Sequence, residues 1–317
     1  MRIVIAGGSG FLGRALSVRL RAAGHDVVVL TRDGAQPRGR GSRDTESRAV
    51  RYAHWTPNGE AGDWAREIDG TDALINLAGA GIADKRWSAA RKRVLWSSRI
   101  LSTKSLIGAL QKVSRRPSVL LQGSAAGYYG AFQDSPTIDE TSPPGSDFLA
   151  QLCVAWEAEA QPAASLGCRV VFTRSSVVIS RDGGALPKMM LPFTLFAGGP
   201  LASGRQVMSW IHIDDWIEMM LWAIEKSSVS GPVNLAAPEP VTNAEFSRAL
   251  GRAMHRPSWI PVPGFALRLI VGEMANDALI LGHRILPKRA LQLGYVFRHP
   301  GVDEALASAV RGFSDGP

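Results

Sequence analysis

Cysteine is scarce in this 317-residue chain, which has two, Cys153 and Cys168. Two thiols exclude a disulfide framework, and their spacing matches no metal-binding pattern, so no metal site is expected. A reducing cytoplasm is the simplest setting for such a chain. Long apolar runs are missing too. No segment approaches the roughly 20 apolar residues that cross a bilayer, so no membrane partner is expected. The first apolar strand starts at Arg2, which leaves no room for a secretory leader and again favours the cytoplasm. Repeats and low-complexity tracts are absent. The basic stretch from Arg32 to Arg51 contains no aromatic residue. A single-strand nucleic-acid surface interleaves the two, so the net charge of +8 is not taken to indicate a nucleic-acid partner. The stretch reads as a solvated loop, with Asp44 and Glu46 among its arginines.

What the chain does have is length for one large α/β domain, or a domain plus a lobe, and an ordinary 45% of hydrophobic residues. The informative part is its start. Arg2 to Ala6 is a short apolar run, Gly7, Gly10 and Gly13 follow as G-x-x-G-x-x-G, and a helical pattern runs on to Gly24. Val27 to Leu30 then forms a second apolar run. This is a β-α-β unit with glycines at its first corner. Gly7 permits a tight turn, Gly10 lets a pyrophosphate approach the backbone, and Gly13 lets the helix lie close to the sheet. The helix start, with Phe11 and Leu12 in its first turn, offers unpaired N–H groups to phosphates.

The second strand ends in Thr31-Arg32, where an NAD site usually carries an acid. A guanidinium suits the 2′-phosphate of NADP, although Asp33, one residue later, could compete. Ala73 to Leu77 is a further strand and leads into Asn76-Leu77-Ala78-Gly79, whose small residues suit the dinucleotide's adenine-ribose side. A strand from Val119 delivers Ser124, followed by Tyr128 and Tyr129. A hydroxyl at a strand's carboxyl end beside two phenols is a candidate contact for a substrate carbonyl, and a turn with packed aromatics is the plainer alternative. Helices are expected over 89–112, 147–165, 216–226, 243–254 and 302–310, a basic one from Leu286, and an edge strand over Tyr295-Val296-Phe297. His212 lies in an alternating strand that ends at Asp214-Asp215, where a structural role is commoner than acid-base catalysis.

These pieces resemble the extended short-chain dehydrogenase/reductase superfamily. The resemblance is carried by the glycine triplet, Asn76 to Gly79, Ser124 ahead of Tyr-Gly, and Trp210 to Asp215. More narrowly the chain is similar to an atypical epimerase-family group, short-chain type 39U. That likeness rests on Ile82 to Trp87, Ser124 to Gly130, Gly198-Gly199-Pro200, Ser203 to Gln206 and Leu286 to Arg289. It implies an α/β fold: a doubly wound parallel Rossmann sheet over 1–235, with a smaller C-terminal substrate lobe over 236–317 that borrows residues from about 180–210 and is family-specific from about 262. It also implies NADP held by Gly7, Gly10, Phe11, Leu12, Gly13, Thr31, Arg32, Leu77, Ala78, Gly79, Arg99 and Val177, a small-molecule substrate, and a homodimer.

One departure stands out. Active members carry Tyr-x-x-x-Lys about two dozen residues after the serine, a proton donor and the amine that tunes it. Here either Leu149 and Cys153 or, one residue earlier, Phe148 and Leu152 take those places. Two functions follow: an NADP-dependent oxidoreductase or epimerase in which Tyr128 or Tyr129 supplies the proton and Ser124 orients the substrate oxygen, or an NADP-binding sensor or scaffold without turnover.

Overall fold

The structure is a computed structural model, and it describes residues 1–32, 50–133, 136–274 and 281–311. In chain order the strands are β1 (Arg2–Ala6), β2 (Asp26–Thr31), β3 (Arg51–His54), β4 (Ala73–Asn76), β5 (Val119–Ala125), β6 (Thr137–Ile138), β7 (Arg169–Ser175), β8 (Val177–Ile179), β9 (Val207–Met208), β10 (Trp210–His212), β11 (Gly231–Leu235), β12 (Val241–Thr242) and β13 (Arg284–Ile285). The helices are α1 (Phe11–Ala22), α2 (Ala89–Lys112), α3 (Phe148–Ala160), α4 (Pro162–Ser165), α5 (Leu186–Thr194), α6 (Ile213–Glu225), α7 (Asn243–Met254), α8 (Gly264–Val271), α9 (Lys288–Gln292) and α10 (Val302–Arg311).

Seven strands form one parallel sheet in the order β11-β7-β5-β4-β1-β2-β3. Both faces are covered, which is why β1 and β2 are apolar at nearly every position instead of alternating. Ile3, Ile5, Val27 and Val29 pack with Leu16 and Leu20 of α1 and with Ile217 and Met220 of α6. Val4, Val28 and Leu30 point the other way, onto Leu106 and Leu110 of α2. The chain runs outward from β1 through β2 and β3, then returns to β1's other side with β4. The strand order therefore reverses at β1, and the crevice at its carboxyl end is where such sheets bind ligands.

A second, smaller body forms around Trp210, Phe193, Phe246, Leu250 and Leu306, drawn from β10, α5, α7 and α10. Thr242 and Glu245 close a capping box at the start of α7. Short pairings, β8 with β10 and β6 with β13, join this body to the large sheet.

Three expected elements differ. The 147–165 helix breaks into α3 and α4 because Pro162 has no N–H for the Ala158 carbonyl. Helix α6 begins at Ile213, three residues before the expected start, because the His212 ring caps it by accepting the Asp214 N–H at 3.2 Å. The edge strand over 295–297 is not formed. Tyr295 packs edge-on against Trp222 and Phe297, and the next two N–H groups, of Arg298 and His299, donate to the Asp215 carboxylate instead of to a strand. The basic stretch from Asp33 to Ala49, including the competing Asp33, lies outside the described residues.

Candidate active site

The glycine corner leaves no room for side chains. Gly7 has φ +80°, and a Cβ there would stand 2.6 Å from the Leu77 carbonyl carbon. A Cβ on Gly13 would stand 2.5 Å from the Gly7 oxygen. Gly10 is less crowded, 3.3 Å from that oxygen, and it starts α1 with no side-chain cap and no acid in the first turn. The N–H groups of that turn are thus left for an anion. Arg14 steadies the loop by donating to the Ser9 carbonyl at 2.8 Å.

Leu77 to Gly79 forms the facing wall, and Asn76 shapes it. The Asn76 amide donates to Thr103 and Gln122 while its carbonyl accepts the Ala78 N–H at 3.1 Å. Arg99 lies under Gly79, its Nη1 donating to the carbonyls of Ala80 and Leu95. Its guanidinium covers the Trp156 ring. Burial lowers the Arg99 pKa to about 10, so it remains a cation at neutral pH. Thr31 is buried and Arg32 is exposed at the end of β2. Val177 begins β8, half-buried beside Trp210. The Phe11 ring fills the space that side chains on Gly183 and Gly184 would occupy, so the segment leading to α5 rests on the start of α1. Lys188 of α5 then reaches the Ala83 carbonyl at 2.8 Å, bridging the second body to the loop before α2.

The place of the missing pair is now defined. A Cβ on Gly127 would stand 3.1 Å from the Leu149 Cβ, and the Cys153 thiol neighbours Ser124 and Arg99. Phe148, Leu149 and Leu152 all pack in the cluster of Trp87, Leu95 and Met274, and of these Leu149 is the one nearest Gly127. Leu149 and Cys153 therefore face the loop after β5, and neither exchanges protons there: burial pushes the thiol up to about 12.

Sequence reasoning missed what fills the gap. The Ser124 hydroxyl donates to Glu157 at 2.6 Å. Arg174 grips Glu157 with two bonds of 2.8 Å and donates a third, 3.0 Å, to the Tyr129 hydroxyl. Tyr129 donates to Asn234 at 2.7 Å, whose own N–H goes to Glu140. An acid on the apolar side of α3 and an arginine inside a buried strand were the available signals. Burial raises Tyr129 to about 12, so it keeps its proton. Tyr128 is half-buried, with the Arg174 guanidinium 3.4 Å from its ring centre. His283 lies near this loop, and burial lowers its pKa to about 4.

Comparison with known proteins matches this architecture. The model of the NAD dependent epimerase/dehydratase family matches residues 3–236. The chain belongs to that family. A second family model, a domain of unknown function (DUF1731), matches residues 262–309. Among epimerase family proteins, Mb2239 of Mycobacterium bovis is 41% identical over 97% of both chains. YfhF of Bacillus subtilis is 36% identical over 98% of both. The chloroplastic SDR39U1 homologue of Arabidopsis thaliana is 38% identical over 98% of this chain and 87% of its own length. The crystal structure of human epimerase family protein SDR39U1 (isoform 2) with NADPH has a TM-score of 0.86 and 33% identity, covering 99% of this chain and 100% of that one. In the epimerase fold that these chains share, helix α3 of the present one carries neither phenol nor amine at the positions facing Ser124. No helix among the described residues is long and apolar enough to cross a membrane.

Proposed function

We propose that this epimerase-family chain is an NADP(H)-dependent oxidoreductase or epimerase acting on a small carbonyl or nucleotide-sugar-like substrate. The observation that carries the cofactor assignment is the corner where Gly7 and Gly13 exclude any Cβ and Gly10 leaves the α1 N–H groups uncapped. Phe11 and Leu12 continue that turn, Leu77 to Gly79 forms the opposite wall, Arg99 contributes a cation, and Val177 lies on the nicotinamide side. Thr31 and Arg32 would receive the 2′-phosphate. The human relative crystallised with NADPH supports the choice of NADP over NAD.

When bound, a nicotinamide donates or accepts a hydride at one ring carbon. The protein must then move one proton at the substrate oxygen. Tyr128 is assigned that proton, because Tyr129 holds its own in bonds with Asn234 and Arg174. Ser124, fixed by Glu157, orients the substrate oxygen, accepting or donating as the Glu157 bond allows. The exposed apolar residues Val94 and Trp96 of α2 and Val154 of α3 would meet in a homodimer.

A second use of the same site is favoured by one observation: Leu149 and the buried Ser124–Glu157 bond remove the usual proton relay. In that case the protein binds NADP(H) and reports its occupancy without turnover. Nicotinamide absorbance, followed with purified protein against aldehydes, ketones and nucleotide sugars, separates the two. Turnover lost in Tyr128→Phe with NADPH binding retained supports the enzyme. Tight NADPH binding with no turnover on any substrate supports the sensor, and absence of NADP(H) binding removes both.

A further inference from the structure

Three side chains of metal-ligating type converge where α6 begins. Asp214 Oδ2 lies 3.5 Å from His212 Nδ1 and 3.5 Å from His299 Nε2. One ligand atom from each residue lies within 4.8 Å of the other two. The two imidazole rings stand 3.9 Å apart, centre to centre, and tilted by 44°. The His299 Nε2 is buried and has no hydrogen-bond partner.

These separations are long for hydrogen bonds. The two from Asp214 are close to the spacing of ligands around a metal: at zinc distances of about 2.0–2.1 Å, tetrahedral ligand atoms stand about 3.3–3.4 Å from one another. A buried nitrogen without a partner is costly, and a bound ion is one of the few ways to satisfy it. We propose that His212 Nδ1, Asp214 Oδ2 and His299 Nε2 bind one transition-metal dication of the zinc class, with water as a fourth ligand.

The surroundings fit. Asp215 stays out of the coordination sphere: its two oxygens accept the N–H groups of Arg298 and His299 at 2.7 and 2.8 Å, holding the His299 backbone against α6. Binding takes the Nδ1 lone pair from the Asp214 N–H, exchanging a 3.2 Å cap for a metal bond. Arg298 Nη1 stands 4.0 Å from Asp214 Oδ2, but its side chain is 59% exposed and can turn into water as the cation enters. His212 and Asp214 belong to the epimerase segment and His299 to the C-terminal one, so the ion ties the two together. The site needs neither cofactor nor turnover.

The test uses the full chain, stripped with a chelator. Calorimetry with Zn²⁺ should show one equivalent bound, Co²⁺ should develop the intense visible bands of four-coordinate cobalt, and Zn²⁺ should raise the Tm. His299→Ala and the isosteric Asp214→Asn should each weaken Zn²⁺ by at least roughly tenfold and abolish the cobalt bands. Both should keep the circular dichroism of the parent. His25→Ala, outside the cluster, should change nothing. The proposal is overturned if the parent takes up no stoichiometric Zn²⁺ at about 1 mM, or if both cluster variants bind it as the parent does.

Discussion

Glu157 accepts two parallel bonds, each 2.8 Å, from Arg174, with side chains only 9% and 4% exposed. This ion pair underlies the serine loop and joins α3 to β7 where the described helix has no lysine. Removing one partner leaves the other buried and uncompensated. Arg174→Met should therefore cost about 3–5 kcal/mol in urea unfolding, and the double variant Arg174→Met with Glu157→Leu should cost clearly less. A double variant as unstable as the single one would mean that packing, not charge, dominates there.

The glycine corner permits a paired comparison. Gly7 and Gly24 have φ values of +80° and +83°, but a Cβ on Gly24 meets nothing within 4 Å. Gly24→Ala should lose about 1 kcal/mol from the left-handed backbone alone. Gly7→Ala adds the clash with Leu77 and should lose at least ~2 kcal/mol more, with NADPH binding abolished. Denaturant midpoints and calorimetry read both effects, and equal behaviour of the two variants would remove the close-approach argument.

Arg32→Ala separates the two dinucleotides. If Arg32 receives the 2′-phosphate, NADPH affinity should fall roughly tenfold to a hundredfold, about 1.4–2.8 kcal/mol, with NADH nearly unchanged. Equal loss for both would assign the 2′-phosphate to another residue.

His283 makes stability depend on pH. Its folded pKa is lowered from 6.5 to about 4 by burial, so between those values the unfolded chain binds the proton that the folded one refuses. Its contribution is fully present above about pH 6.5 and is lost as pH falls toward 4, at no more than about 1.4 kcal/mol per pH unit. Chemical denaturation of His283→Gln over this range should show a flatter slope than the parent, and an identical slope would show that His283 titrates normally.

The family, the β-α-β unit and the glycine corner were legible because they are local. Strand, turn and helix occupy Arg2 to Arg32 without a break, and every property that marks them acts over a few residues. The absence of phenol and amine from the 148–153 stretch was legible for the same reason, although the choice between Leu149 and Phe148 was not. That choice turned on which face of α3 meets Gly127. The Ser124–Glu157–Arg174–Tyr129–Asn234 chain spans 110 positions of sequence, and the His212–Asp214–His299 cluster joins residues 87 apart. A short-range pattern records which side chains exist and which face of an element they share. Only the packing of α3 on the sheet and of the C-terminal segment on α6 decides which of them lose their water, and burial is what turns a serine, an acid and an arginine into a single bonded unit.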